Sequence, residues 1–226
     1  MIIYQYKNGY RYNSDSLILY DFIKDDRLSG VGLDIGAGSG ILGILISKKY
    51  NLKMHAIDIQ EINTKLCEIN YKANDLESKI FLDDFLTFKS DIQYDFLVSN
   101  PPFYSKMKAQ NEHLSISRHA DFMPIDLFLN KVDKLLKPHS SLYFCYDAKK
   151  IDLIFQVLAN TKLKCIKLRF VHTKKEKPAN LVLLKVKKVS KNDIEILPPL
   201  ISYDGNKISK ELANIYENIK VKSCDL

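Results

Sequence analysis

Four consecutive residues, Asn100-Pro101-Pro102-Phe103, place an amide, a fixed carbonyl and an aromatic ring directly after an apolar run, Asp95-Phe96-Leu97-Val98-Ser99. The Asn100 side-chain oxygen and the Pro101 carbonyl are two acceptors, suited to the two N–H bonds of one exocyclic amine. An amine on a conjugated ring is a poor nucleophile because its lone pair is delocalised. Holding both N–H bonds favours the pyramidal nitrogen that forms during attack, which is complementarity to a transition state. The proline pair presents the carbonyl rigidly. Phe103, with Tyr104 beside it, offers a face on which a flipped base stacks, worth about 1–3 kcal/mol. No strong general base is needed, because the proton can leave after the new bond forms.

A second cluster lies upstream, Asp34-Ile35-Gly36-Ala37-Gly38-Ser39-Gly40, also at the end of an apolar run. Gly36, Gly38 and Gly40 permit a tight turn and a close backbone approach to a ligand. A helix follows at once, so its N-terminal amides face that ligand. A dinucleotide fingerprint would need its last glycine at position 41, which is Ile41. Asp58, at the end of the next apolar run, suits two vicinal hydroxyls. A nucleotide-binding or purely structural Rossmann-like domain remains the competing reading of this loop taken alone.

The elements that must position these groups alternate. Strands are expected at Val31–Ile35, Lys53–Asp58, Lys79–Leu82, Tyr94–Ser99 and Ser141–Tyr146. Helices are expected at Ser39–Tyr50, Glu61–Asn74, Ile125–Leu136 (ended by Lys137-Pro138), Ile151–Asn160 and Ile208–Ile219. Lys162–His172 and Asn180–Val189 read as a hairpin around the polar loop Thr173–Ala179. Leu197–Asn206 reads as turn-rich. Strand–helix alternation implies parallel strands with crossover helices, and ligands then sit beyond the carboxyl ends of the strands. The expected fold is therefore α/β and Rossmann-like. It has a mostly parallel seven-stranded sheet, helices on both faces and a C-terminal antiparallel hairpin. One domain over 1–226 is expected: a cofactor-side segment 1–30, a catalytic core 31–190 and an extension 191–226.

Charge is distributed unevenly. The net charge is +7, yet residues 161–192 alone hold eleven basic residues and one acid. Lys162, Lys164, Lys167 and Arg169 alternate along an expected strand. This reads either as a solvated face or as a contact surface for phosphates. The four cysteines, Cys67, Cys145, Cys165 and Cys224, show no paired spacing, which fits thiols in a reducing cytoplasm. The histidines lack metal-ligand spacing, so no metal is expected. No apolar run approaches the roughly 18 residues of a membrane span, and the N-terminus has no secretion signal.

The Asp34-x-Gly36-x-Gly38-x-Gly40 spacing resembles the first motif of class I S-adenosylmethionine-dependent methyltransferases. The resemblance implies that Asp34 lies near the donor's methionine amino group. It also implies that Asp58 and Ile59 receive the ribose and its neighbourhood, and that Asp84-Phe85 receives the adenine. Asn100-Pro101-Pro102-Phe103 resembles the catalytic motif of amino-methyltransferases, in which Asn, Asp or Ser precedes two prolines and an aromatic residue. The whole chain resembles the bacterial valine-tRNA adenine N6-methyltransferases that act next to the anticodon. Tyr12-Asn13-Ser14-Asp15-Ser16-Leu17-Ile18-Leu19 looks like that family's N-terminal motif, which sets Asp15 near the cofactor. Ser117-Arg118-His119-Ala120, the run Glu176–Leu184 and the run Leu200–Gly205 continue the resemblance in order. Phe103-Tyr104 replaces the more usual Tyr at the first aromatic position. Residues 162–191 are more basic than the family pattern demands.

The implied function is N6-methylation of a tRNA adenine with S-adenosyl-L-methionine as cofactor. Phe103, Tyr104, Arg118, His119, Lys174, Lys175 and Lys177 are expected to meet the RNA. The expected location is cytoplasmic, with a monomer slightly favoured. The competing acceptors are guanine N2 of ribosomal RNA and a release-factor glutamine. Enzymes for the latter carry a helical N-terminal domain, whereas about 30 residues precede the first core strand here. The ribosomal enzymes usually carry an additional domain, and DNA adenine methyltransferases a target-recognition domain. A non-enzymatic RNA-interaction module that binds S-adenosylmethionine is the alternative of another class.

Overall fold

The run Val31–Ile35 is apolar but for Asp34, as suits a strand inside a sheet buried on both faces. Gly32 sits there for want of room. The computed structural model describes residues 1–7, 11–101 and 123–226. Along the chain come β1 (Ile2–Gln5), α1 (Ser14–Ile23), β2 (Val31–Ile35), α2 (Ile41–Tyr50), β3 (Lys53–Asp58), α3 (Glu61–Ala73), β4 (Ile80–Leu82) and β5 (Tyr94–Ser99). After the undescribed stretch follow α4 (Ile125–Leu135), β6 (Leu136–Asp147), α5 (Ile151–Leu158), β7 (Leu163–His172) and β8 (Ala179–Lys188). The last elements are the two-residue strands β9 (Glu195–Ile196), β10 (Leu200–Ile201), β11 (Tyr203–Asp204) and β12 (Lys207–Ile208), then α6 (Lys210–Ile219) and β13 (Lys222–Asp225).

The main sheet has the order β10-β7-β8-β6-β5-β2-β3-β4, with β9 also on β7. β2, β3, β4, β5 and β6 pair in parallel. β8 alone runs antiparallel to both of its neighbours, β6 and β7. The expected seven strands are present. The short β9 and β10 extend the edge beyond β7. From β2 the chain winds through α2 to β3 and through α3 to β4. It then returns to β5 on the other side of β2 and winds through α4 to β6. Right-handed crossovers in opposite directions put α2 and α3 on one face and α4 on the other. The reversal between β2 and β5 is the switch point at which such sheets open a crevice.

Burial explains the helices. Ile125, Phe128, Leu129, Val132 and Leu135 form one buried stripe of α4. The helix stops at Leu135, and Leu136 already pairs with Tyr94. The next pair is Phe96 with Ser141, so Lys137–Ser140 bulge from the ladder. Pro138, which has no N–H to give, falls in that interruption. The sixth strand is therefore longer than the sequence indicates.

One small sheet was not legible. β1 and β13 pair in parallel, from Ile2 with Lys222 to Gln5 with Asp225. On its other side β1 meets two asparagines of α3 instead of a strand. Asn70 accepts from Tyr4 N at 2.7 Å and donates to Tyr4 O at 3.0 Å. Asn74 accepts from Ile2 N at 3.2 Å and donates to Ile2 O at 2.6 Å. Asn70 also donates to Ser39 O at 2.9 Å, which ties this sheet to the glycine loop. Among the described residues no helix is long and apolar enough to cross a membrane.

A Cβ at Gly32 would lie 2.3 Å from the Phe96 ring and 2.5 Å from Met54 Sδ. Gly32→Ala is expected to cost about 1–3 kcal/mol of stability by overpacking, read as a lower denaturation midpoint. Phe96→Leu in the same chain should recover part of the loss, because the two sites share one space. Unchanged stability in the single variant would contradict this packing.

Candidate functional site

Ile35 and Ser99 are register partners on β2 and β5, so Gly36 and Asn100 leave adjacent strands at the same level. The Ser99 hydroxyl donates to Ile35 O at 2.8 Å across the pair. The glycine loop and Asn100 therefore open into one crevice. It is lined by Tyr12, Ser16, Asp34, residues 36–39, Ile41, Leu42 and Asn100.

The loop is held by its own backbone. Gly36 N and Ala37 N both donate to Ile57 O, at 2.9 and 3.1 Å, and Gly40 N donates to Ala37 O at 2.8 Å. Gly36 and Gly38 have φ of 66° and 54°. A Cβ at either would meet nothing within 4 Å, so both face open space. The N-cap of α2 is Gly40, which offers no side chain. Asp34 takes over from the strand below: its Oδ2 accepts from Gly43 N at 2.9 Å. Asp34 is only 2% exposed. Burial, with the nearby Asp58 charge adding to it and the Gly43 N–H opposing, pushes its carboxyl up to about 7. Ser39 Oγ is buried and has no hydrogen-bond partner among the described residues.

Asp58 is buried at the end of β3. One oxygen accepts from Gly38 N at 2.9 Å. The other accepts from Gln60 N at 2.9 Å and Asn63 Nδ2 at 3.1 Å. This carboxylate thus fastens the glycine loop to the neighbouring strand, a second duty beside the expected hydroxyl contact. Ile59 and Leu82 are 50% and 54% exposed at the same edge, and Leu82 is the register partner of Asp58.

Asn100 is surrounded on three sides. Its Nδ2 donates to Ser16 Oγ at 3.0 Å and to Asn13 Oδ1 at 3.4 Å. Its Oδ1 accepts from the Cys145 thiol at 2.9 Å. Asn13 is the N-cap of α1 and accepts from Asp15 N at 3.1 Å. Asp15 Oδ2 accepts from Asn13 Nδ2 at 2.8 Å, and burial raises the Asp15 carboxyl above its ordinary range.

The structure thus brings Asp34, Gly36, Gly38 and Asn100 to one crevice, with Asp15 beside it through Asn13. Gly40 caps α2 behind the loop. Pro101 is buried. Pro102, Phe103, Tyr104, Arg118 and His119 lie outside the described residues. Asp84 closes its own turn, with Oδ1 accepting from Leu86 N at 2.9 Å. Phe85 departs from expectation. It is 3% exposed and packs on Phe128 with ring centroids 5.6 Å apart, so it belongs to the core and offers no open face. The exposed apolar surface beside Asp58 comes from Ile59 and Leu82 instead.

The basic stretch is also partly neutralised. Lys167 and Lys185 share Asp26, at 3.1 and 2.7 Å. Arg169 pairs with Glu211, and Lys188 donates to Leu136 O at 2.9 Å. Lys175 and Lys177 stay exposed in the loop after β7, while Lys174 reaches Asn206 at 3.5 Å. Register partners run from Ser99 through Phe144 and Leu184 to Leu168. The loop after His172 therefore rises above the same edge as Asn100, three strand spacings or roughly 15 Å away. Sequence reasoning missed Asn13, Ser16, Ser39 and Cys145. An N-cap asparagine ahead of an apolar run was the available signal for the first; strand pairing alone reveals Cys145.

Residues 11–120 match the family model of the methyltransferase small domain. Among curated proteins the chain is 27% identical over 158 residues to the tRNA1(Val) (adenine(37)-N6)-methyltransferase of Phocaeicola vulgatus, covering 69% of this chain and 68% of that one. It is 28% identical over 167 residues to the Aliivibrio fischeri protein of that name, covering 72% and 71%. Against the Flavobacterium johnsoniae protein of that name it is 26% identical over 197 residues, covering 84% and 83%. Among solved structures, a protein described as a predicted O-methyltransferase from Agrobacterium tumefaciens superposes with a TM-score of 0.70 at 11% identity, covering 94% of this chain and all of that one. The T. thermophilus 16S rRNA N2 G1207 methyltransferase superposes with a TM-score of 0.57 at 16% identity, covering 80% and 45%. The fold is that of class I methyltransferases.

A carboxyl at about 7 in the folded chain, against an ordinary 3.8, holds a proton that the unfolded chain releases sooner. Its ionisation therefore destabilises the fold. The penalty is absent below the ordinary value, grows as pH rises toward 7 and is full above it. Asp34→Asn keeps an oxygen for Gly43 N–H without the charge. Its unfolding free energy should match the parent near pH 4 and exceed it at pH 8, by on the order of 3–4 kcal/mol. Parallel stability curves would contradict a buried, destabilised Asp34.

Proposed function

We propose that the chain, whose residues 11–120 match the methyltransferase small domain, moves a methyl group from S-adenosylmethionine to N6 of a tRNA adenine. The acceptor is adenine 37, beside the anticodon of a valine tRNA, as the names of the relatives indicate. The observation that carries the reading is the in-register emergence of the glycine loop and Asn100 into one crevice. Residues 1–226 act as one domain, in the cytoplasm where tRNA is found.

The crevice suits the donor. Gly36 and Gly38 leave open the space that side chains would fill. Ser39 Oγ, on the crevice wall, is a hydroxyl with no partner among the described residues. Asp34 supplies a carboxyl for the donor's ammonium group, and that cation would hold Asp34 ionised despite its burial. Asp58, at the end of β3 beside the loop, meets the ribose hydroxyls. Ile59, with Leu82 beside it, offers the apolar surface for a planar base, while Asp84 is left to meet its edge. When bound, the donor supplies an electrophilic sulfonium methyl.

The chain's own residues then act on the amine. Asn100 Oδ1 and the Pro101 carbonyl accept its two N–H bonds and favour a pyramidal nitrogen with its lone pair aimed at the methyl. Placement at near-attack distance can supply about 7–11 kcal/mol of the barrier. The proton leaves to solvent after transfer. By sequence, Pro102 completes the proline pair, and Phe103 and Tyr104 serve to stack the flipped adenine. Arg118 and His119 meet a phosphate or the base, and Lys174, Lys175 and Lys177 grip neighbouring phosphates.

Incubation with labelled donor and total tRNA from a strain lacking the protein, followed by nucleoside mass spectrometry, should yield N6-methyladenine. N2-methylguanine, or label in protein alone, would overturn the assignment. Asn100→Ala should bind donor normally and lower kcat by about 100-fold or more; unchanged turnover would contradict its role. Neutralising Lys174, Lys175 and Lys177 together should raise the RNA KM and flatten its salt dependence. An unaltered salt slope would return that loop to plain solvated surface.

A further inference from the structure

We infer that Asn13 and Ser16, on the N-terminal turn of α1, are positioning residues that fix which end of the Asn100 carboxamide faces the acceptor amine. The inference rests on the reading that Asn100 Oδ1 captures that amine. An asparagine carboxamide turns easily about its last torsion, which has broad and roughly two-fold preferences. Turned the wrong way, Asn100 would present NH₂ to an NH₂ group and repel it.

The hydrogen bonds around Asn100 leave one orientation. The backbone N–H of Asp15 can only donate, and it points at Asn13 at 3.1 Å, so the Asn13 atom there is Oδ1. The other end of the Asn13 amide is then Nδ2, which lies 2.8 Å from the Asp15 carboxylate and suits it. Asn13 is thus oriented twice over. Its oxygen faces Asn100 at 3.4 Å, so the Asn100 atom there is the donor, Nδ2. Ser16 Oγ receives the same NH₂ at 3.0 Å. What remains is Asn100 Oδ1, and on that side stands the Cys145 thiol at 2.9 Å. A thiol is a weak donor and takes one lone pair of the two, so the oxygen stays available to a better donor such as an amine. The chain of constraint runs from a helix cap, through an amide, to the group that holds the substrate.

The placement also gives α1 a reason to be rigid. Leu17, Ile18, Leu19, Phe22 and Ile23 bury its far face in the core. Ser16 is 6% exposed, so its hydroxyl faces Asn100 and not bulk water.

The test separates positioning from folding. Ser16→Ala removes one buried hydroxyl and its hydrogen bond to Asn100, so it should lower the unfolding temperature only slightly while the fold stays intact. Asn13→Ser keeps a good N-cap with a side chain too short to span to Asn100. Each variant should bind S-adenosylhomocysteine as the parent does and lower kcat about ten-fold, the worth of one neutral hydrogen bond. The double variant should lose more than either single one, and Ser16→Thr, which retains the hydroxyl, should restore most of the rate. A readout independent of turnover is the ¹⁵N side-chain amide pair of Asn100, identified by its disappearance in Asn100→Ala. That pair should shift in Ser16→Ala. Weaker S-adenosylhomocysteine binding with unchanged kcat would make Ser16 a donor contact and overturn the inference. The two failures are distinguishable. A parent protein that methylates no RNA overturns the function itself, and the clamp's purpose with it. An active parent whose rate and Asn100 amide signals ignore Ser16→Ala overturns the clamp alone.

Discussion

The pairing of Ile35 with Ser99, sealed by the Ser99 hydroxyl on Ile35 O at 2.8 Å, is the constraint on which the site depends. A slip of one residue would turn each side chain of β5 to the opposite face. Asn100 would then lose both Ser16 and Cys145. The register is protected by packing, since Phe96 fills the space that Gly32 leaves on the neighbouring strand. Core and chemistry are thus set by one ladder: the residues that bury the sheet also decide where the donor loop meets the acceptor turn.

The site departs from the rules that the rest of the fold obeys. Asp34 is a carboxyl in an apolar interior, held near neutrality by burial. Ser39 Oγ is buried with no partner among the described residues. Gly36, Gly38 and Gly40 all take left-handed φ values. The buried carboxyl and the buried hydroxyl cost free energy by themselves and are useful beside a cationic, multiply hydrogen-bonding ligand, while the glycines take their φ without strain and leave it room. The surrounding structure holds these groups in place. Asp58 spends its oxygens on Gly38, Gln60 and Asn63. Asn70 spends its amide on Tyr4 and Ser39. The small sheet of β1 and β13 therefore braces the donor loop from behind, through a single asparagine of α3.

Much of this was legible in the sequence because the signals were local. The core strands carry short, mainly apolar runs broken by single polar residues such as Asp34, His55 and Asp95, and the bounds 31–35, 53–58 and 94–99 were readable from them. The two loops were identifiable because glycine and proline report backbone shape directly. What could not be read depends on distant partners. The pairing of β1 with β13 joins segments some two hundred residues apart, and its other edge is made of side-chain amides that mimic a strand. Phe85 looks like a stacking platform in a string of residues, but Phe128 pulls it inward. Lys167 and Lys185 look like phosphate ligands until both meet Asp26. The extension of β6 past Pro138 needed a bulge that no spacing announces.

The central claim is spatial: the donor's methyl and the acceptor's amine meet between the glycine loop and Asn100. A crystal structure with a bisubstrate analogue, in which adenine N6 is tethered to the donor's methyl-bearing position, tests it most directly. The account predicts N6 at hydrogen-bond distance, about 2.7–3.2 Å, from both Asn100 Oδ1 and the Pro101 carbonyl, with the analogue's ammonium beside Asp34. An analogue bound with N6 turned away from Asn100, or seated outside the crevice between β2 and β5, would contradict it.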